Sequence, residues 1–167
     1  MSARYIIGLG TNIGSTQENI LNAVNAISLL PKTKVIKTSS FYETSPVGEN
    51  SGSVNFLNAV CEVESELNAH EMLGACLGIE AALGRVRTYK NAPRIIDVDL
   101  ICGEENGDAV KINSKNLSLP HPEMQNRLFV LEPLSELYPS GEAYGVNIKN
   151  ARSKIEGQKI KKLPHRN

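Results

Sequence analysis

The stretch GRVRTYKNAPRIIDVDLI, Gly84 to Ile101, sets Arg85, Arg87 and Arg94 within ten residues of one another and follows them with Asp97 and Asp99. The chain holds seven arginines and three aspartates, and five of those ten residues fall in this one window. Two carboxylates beside guanidinium groups are the residue types that gather a hard divalent cation and a polyphosphate into one place. Magnesium takes oxygen ligands from one or two carboxylates together with phosphates, and an arginine fork matches phosphate oxygens with paired hydrogen bonds.

The elements around these residues must then aim them. Asp97 and Asp99 are embedded in Ile95, Ile96, Val98, Leu100, Ile101 and Cys102, an apolar, largely β-branched run that reads as a buried strand. Alternation along a strand turns both carboxylates to one face, with Cα atoms roughly 6.6 Å apart at about 3.3 Å rise per residue. Ionised carboxylates in a core strand need compensation. Taken alone, Asp-x-Asp reads equally well as a salt-bridged structural pair, with Arg94 as the partner. The three arginines favour the metal: Gly84, Asn91, Ala92 and Pro93 mark their segment as a loop, a basic lid above an acidic strand.

Composition limits the setting. The 167 residues read as one soluble domain, with a core over about 4–139 and a basic C-terminal tail over 152–167. No run is long and apolar enough for a membrane span, and the start MSARYIIGLGTN is too short and glycine-rich for a signal peptide, so a cytoplasmic protein is expected. Cys61, Cys76 and Cys102 sit among apolar neighbours without metal-ligand spacing and read as buried reduced thiols. Lys plus Arg and Asp plus Glu both number 18, and this neutrality argues against nucleic-acid binding. From Arg152 onward there are six basic residues and one Glu, which read as a solvated terminus.

The order of elements predicts the fold. Tyr5 to Leu9 reads as a strand, and Ser15 to Glu18 as a capping box before a helix whose apolar positions Ile20, Leu21, Val24, Ile27 and Leu30 end at Pro31. Val35 to Glu43 reads as a second strand, Ser45 to Ser53 as a loop, Asn55 to Val63 as a third strand, and Asn68 to Leu83 as a helix stopped by Gly84. With the aspartate strand this gives an α+β fold: a ferredoxin-like split βαβ sandwich, its sheet mixed and mostly antiparallel, with helices packed on one face. Gly103 to Val110 reads as a polar hairpin, Leu117 to Pro139 as short helices in a C-terminal extension, and the remainder has no strong periodicity.

The turn Gly8-Leu9-Gly10-Thr11-Asn12-Ile13-Gly14 leaves a strand and enters a helix, but its third glycine comes one residue late for the dinucleotide fingerprint. Phosphates must therefore be held by arginine and metal. His121, between Pro120 and Pro122, reads first as a turn support, and Arg127 follows it. Asn58, inside FLNAV, needs hydrogen-bond partners that backbone or the edge of a heterocycle supplies equally well. Glu80, mid-helix, is either a surface residue or a nucleotide contact.

In order, YIIGLGTNIG, SSFYETSPVG, FLNAV, IEAALGRVRTYKNAPRIIDVDL and LPHPEMQNRLFVLEPLSEL resemble the family of 6-hydroxymethyl-7,8-dihydropterin pyrophosphokinases of folate biosynthesis, from about Tyr5 to Pro139. The resemblance implies transfer of pyrophosphate from ATP to the pterin hydroxymethyl group, releasing AMP, with two magnesium ions. It implies metal binding by Asp97 and Asp99, and closure over the triphosphate by Arg85 and Arg94, with Arg87 as a neighbouring basic position. It further implies ATP contacts by Glu80, His121 and Arg127, which reverses the turn reading of His121. The implied pterin pocket comprises Thr44, Val47, Phe56, Asn58 and Phe129. Some members carry a tryptophan in the arginine loop; this chain has none, which leaves Tyr89 as the candidate cover.

The loops at Ser45 to Ser53 and Arg85 to Pro93 are expected to order when substrates bind. A monomer without nucleic-acid partners is the expected state. The rival readings are a two-metal nucleotidyl transferase, sharing the Asp-x-Asp strand, and a ferredoxin-like RNA-binding module, sharing the topology.

Overall fold

The computed structural model describes residues 2–13, 16–44, 55–84 and 95–164. Arg85, Arg87, Tyr89, Arg94, Val47 and Ser15 lie outside the described residues, and so do the two segments expected to order on binding.

The expected order of elements is present: β1 (Ala3–Thr11), α1 (Thr16–Ser28), β2 (Thr33–Thr38), β3 (Tyr42–Thr44), β4 (Phe56–Ser65), α2 (Ala69–Leu83) and β5 (Asp97–Glu105). β1 lies at the centre, antiparallel to β4 on one side and to β5 on the other, while β2 and β3 pair with β4. This is the strand arrangement of the split βαβ sandwich. α2 opens on a capping box, a signal read only before the first helix and not here: Asn68 Oδ1 accepts from Glu71 N–H at 2.9 Å and Glu71 Oε1 accepts from Asn68 N–H at 2.8 Å.

The expected single strand Val35 to Glu43 is instead broken into β2 and β3. Between their registers Thr38↔Cys61 and Tyr42↔Asn58, three residues face two on β4. Ser39 absorbs the extra residue. It is 5% exposed, its N–H donates to Val60 O at 2.9 Å, and its Oγ accepts from Val60 N–H at 3.0 Å, so a side chain replaces one rung of the ladder.

Strand alternation divides the sheet into two unlike faces. Odd positions of β1, Tyr5, Ile7 and Leu9, enter one core beneath α1 and α2 with Ile20, Ile27 and Met72. Each fully buried side chain of this kind contributes about 1.5–3 kcal/mol. The even face is covered by the C-terminal extension, a third layer where helices were expected on one face alone. After β5 come β6 (Asp108–Ala109), β7 (Ile112–Asn113), β8 (Ser118–Leu119), a 3₁₀ turn at Met124–Asn126 and α3 (Leu128–Leu137). Then follow β9 (Glu142–Ala143), β10 (Val146–Asn147), α4 (Ile148–Ser153) and β11 (Ile160–Lys162). Leu131, Leu134 and Ile148 pack on Ile6, Val60 and Cys102. The β5–β6 turn is Asn106-Gly107, both with positive φ, as a tight hairpin requires.

The extension is fastened through a buried carboxyl group. Glu62 of β4 is 2% exposed, and its Oε2 accepts hydrogen bonds from the Tyr138 and Tyr144 hydroxyls, the latter at 2.7 Å. Burial, reinforced by Glu62, pushes the Tyr144 hydroxyl far above the usual tyrosine range, so it remains a donor. The basic tail is not a solvated terminus throughout: Ile160, Lys161 and Lys162 pair antiparallel with Thr44, Glu43 and Tyr42. Backbone rungs are available at that edge because β3 has no other neighbour on that side among the described residues.

All three cysteines are free and buried, as their neighbours predicted. Burial pushes the Cys61 and Cys76 thiols up to about 12 and also raises Cys102. Native protein at pH 8 should therefore leave all three unlabelled by a charged disulfide reagent over minutes, with full reaction in denaturant; rapid native labelling of any of them would contradict this packing.

Candidate active site

α3 covers only part of the even face, and what it leaves open is a cleft. Its floor is three strands wide. On β1, Gly8 and Gly10 stand opposite Asp99 and Asp97 of β5, and opposite Val60 and Asn58 of β4. The cleft encloses about 700 Å³ and is lined by both aspartates, both glycines, Thr44, Phe56, Asn58, Arg127, Phe129 and the segment Gly157–Lys159.

The glycines are cleft residues that the sequence reading passed over, having weighed them only as a nucleotide loop. Their spacing of two was the usable signal: glycines at i and i+2 of a strand clear one face. A Cβ on Gly10 would stand 3.0 Å from Asn58 Oδ1, and one on Gly8 would stand 3.2 Å from Ile101 Cδ1. Bare backbone thus separates the carboxylates on one side from the amide on the other.

Asn58 has the partner it was predicted to need. It is 5% exposed, and its Nδ2 donates to Thr44 Oγ1 at 3.0 Å. That bond fixes the plane of the amide toward the cleft, flanked by Phe56. At the opposite wall, the Arg127 guanidinium lies 5.5 Å from the centre of the Phe129 ring, a cation–π contact at the start of α3. Arg127 therefore occupies one face of a ring expected to serve the pterin.

Asp97 and Asp99 are half-buried and both face the cleft. Between them, Val98 N–H donates to Glu80 Oε2 at 2.8 Å. This anchors β5 to α2 on the strand's outer edge, so Glu80 has a structural partner besides any nucleotide. Thr11, 2% exposed, donates from Oγ1 to Ile95 O and accepts from Asn19 Nδ2 at 3.2 Å, which pins the start of the aspartate strand.

Asp99 also lines a second, smaller cleft of about 340 Å³ with Glu80, His121, Leu73, Leu77 and Ser118. There His121 Nδ1 accepts from Glu123 N–H at 3.1 Å, which leaves the ring proton on Nε2. Burial and the Arg127 guanidinium lower its pKa against the opposing pull of Asp99 and Glu123, so the ring is neutral at pH 7. Among the described predicted site residues, Thr44, Phe56, Asn58, Asp97, Asp99, Arg127 and Phe129 meet in the first cleft; Glu80 and His121 meet in the second, joined to the first through Asp99.

Residues 6–139 match the family model of 7,8-dihydro-6-hydroxymethylpterin-pyrophosphokinase. The chain belongs to this family. It is 36% identical over 160 residues to the 2-amino-4-hydroxy-6-hydroxymethyldihydropteridine pyrophosphokinase of Methylorubrum extorquens, covering 96% of this chain and 98% of that one. It is 40% identical over 132 residues to the Bacillus subtilis enzyme of the same name, covering 78% and 75%. The fold matches wild-type Plasmodium falciparum HPPK-DHPS with a TM-score of 0.67 at 16% identity, over 92% of this chain and 43% of that chain.

As a pyrophosphokinase of folate biosynthesis, the protein transfers pyrophosphate from ATP to the hydroxymethyl group of the dihydropterin. The nucleotidyl-transferase and RNA-binding readings are thereby set aside. In this pyrophosphokinase, Gly10→Ala should fill the cleft floor and displace the Asn58 amide. The Michaelis constant for the pterin should rise about tenfold, the scale of one good hydrogen bond, with folding stability changed by no more than about 1 kcal/mol. An unchanged Michaelis constant in steady-state kinetics would contradict the floor assignment.

Proposed function

We propose that the two joined clefts divide the substrates between them, with the aspartate pair at the seam. The observation that carries this is the sharing of Asp99: one carboxylate borders both the amide-lined cleft and the one holding Glu80 and His121. The pterin lies against Asn58, Thr44, Phe56 and the free side of Phe129, where an amide meets the polar edge of a heterocycle and apolar rings meet its faces. The nucleotide base and sugar lie along Leu73, Leu77 and Glu80, and the phosphates run past His121 toward Asp99.

The donor set fits magnesium. Asp97 and Asp99 supply hard oxygens over a floor without side chains at positions 8 and 10. Among the described residues no cluster of three or more His, Cys, Asp or Glu could cage a metal, and two carboxylates lining one cleft suit an ion completed by water and substrate phosphates. Two ions are proposed, on the family resemblance and the pair of carboxylates. When bound, they neutralise charge on the triphosphate and orient the β-phosphorus.

The chain's own contribution is positioning. Asn58 and Phe129 hold the pterin so that its hydroxymethyl oxygen approaches the β-phosphorus in line, with AMP leaving and no covalent enzyme intermediate. His121 offers its Nε2 proton to a phosphate oxygen, and Arg127 places a fixed positive charge at the cleft wall. Arg85 and Arg94 are proposed to close over the triphosphate, with Arg87 beside them, Val47 completing the pterin pocket and Tyr89 covering it. A monomer acting on small molecules rather than on nucleic acid is part of this reading, on the balance of 18 basic and 18 acidic residues. The reduced thiols fit a cytoplasmic setting.

Incubated with magnesium and ATP, the protein should release AMP only when the reduced hydroxymethylpterin is present. Asp97→Ala should lower turnover by roughly a hundredfold or more. Near-parental turnover of Asp97→Ala at saturating magnesium would overturn the metal assignment, and AMP release independent of the pterin would overturn the division of the clefts.

A further inference from the structure

The segment after α4 lies beyond the stretch matched by the family model, yet it reaches the cleft. Gly157 turns the chain with φ +80°, a conformation that favours glycine. Gln158 and Lys159 then line the cleft, and β11 locks the segment to β3 through the pair Ile160↔Thr44.

Gln158 uses both ends of its amide on one short piece of backbone. Its Oε1 accepts from Leu128 N–H at 3.0 Å, and its Nε2 donates to Asn126 O at 2.8 Å. These two groups bracket Arg127. A helix begins with N–H groups that lack intrahelical partners, which a side-chain oxygen at the N-cap ordinarily satisfies. The N-cap of α3 is Arg127, whose guanidinium has donors and no acceptor, and it makes no side-chain cap bond. Gln158 supplies the missing cap from 30 residues away in the chain.

The consequence falls on the direction of Arg127. Its backbone is extended, φ −121° and ψ 108°, between a 3₁₀ turn and α3. With the amide of Gln158 fixing the groups on either side, the guanidinium is held at the cleft wall over Phe129. We propose that Gln158 is a positioning residue for the transfer reaction, acting through Arg127 rather than by touching substrate. This rests on the proposed contact of Arg127 with the nucleotide.

The test is a double-substitution cycle in the full-length protein, measuring kcat/KM for ATP at saturating pterin. Gln158→Ala should lower kcat/KM about tenfold, the scale of one to two lost hydrogen bonds. Gln158→Glu, which keeps the acceptor for Leu128 N–H but loses the donor, should lower it less. In an Arg127→Ala background the same Gln158 changes should have no further effect, because the group being aimed is gone. An equal loss in both backgrounds would assign Gln158 a general structural role and overturn the proposal, as would no loss in the parental background. Should Arg127→Ala itself retain parental kcat/KM, the nucleotide contact of Arg127 falls and the positioning role with it, a result distinct from failure of Gln158 alone.

Discussion

The period of two along a β-strand is the constraint on which this protein depends. It places Asp97 and Asp99 on one side of β5 while Val98 and Leu100 enter the opposite core, and it lays Gly8 and Gly10 beside the carboxylates as bare backbone. A single-residue slip in the β1–β5 register would drive two carboxylates into the apolar core beneath α2, at a cost of several kcal/mol for each ion. The register is therefore enforced by the same groups that form the site. The irregularity opposite Ile6 and Ile7 falls past the aspartates, so the site keeps regular pairing.

Incomplete cover is the second requirement. A sheet face closed along its whole length has no cleft, and one left bare would expose a broad apolar surface. The C-terminal extension resolves this by packing α3 and α4 on one end of the even face alone, held by the two tyrosines that converge on Glu62. Glu136 adds a second tie, its carboxylate accepting from the Tyr42 hydroxyl at 2.7 Å and from Ser40 N–H at 3.1 Å. The fastening carboxyl groups thus sit at the covered end and the aspartate pair at the open one.

The local signals were legible in the sequence. The Asp-x-Asp strand, the end of α2 at Gly84, the need of Asn58 for a partner and the burial of the cysteines follow from periodicity, glycine's place at helix ends or hydrogen-bond capacity. What escaped depends on contacts distant in sequence. The break between β2 and β3 is set by Ser39 meeting Val60, and the place of the tail is set by an unpaired edge on β3; neither leaves a mark in local hydropathy. Basic residues at 161 and 162 resembled a solvated end because an edge strand exposes its side chains while its backbone pairs. Gly8 and Gly10 were visible but weighed only against the dinucleotide fingerprint, which their spacing does not fit, since their meaning lies in the strands beside them.

The central claim is that Asp97 and Asp99 together hold the metal on which the triphosphate is placed. The most direct measurement is water-proton relaxation enhancement by manganese, used in place of magnesium, with the protein and a non-hydrolysable ATP analogue. The parental protein should give an enhanced signal that saturates with manganese, and the folded double variant Asp97→Asn/Asp99→Asn should give none beyond the nucleotide alone. Equal enhancement in both proteins would mean that the ion is held elsewhere, and the account of the site would fail.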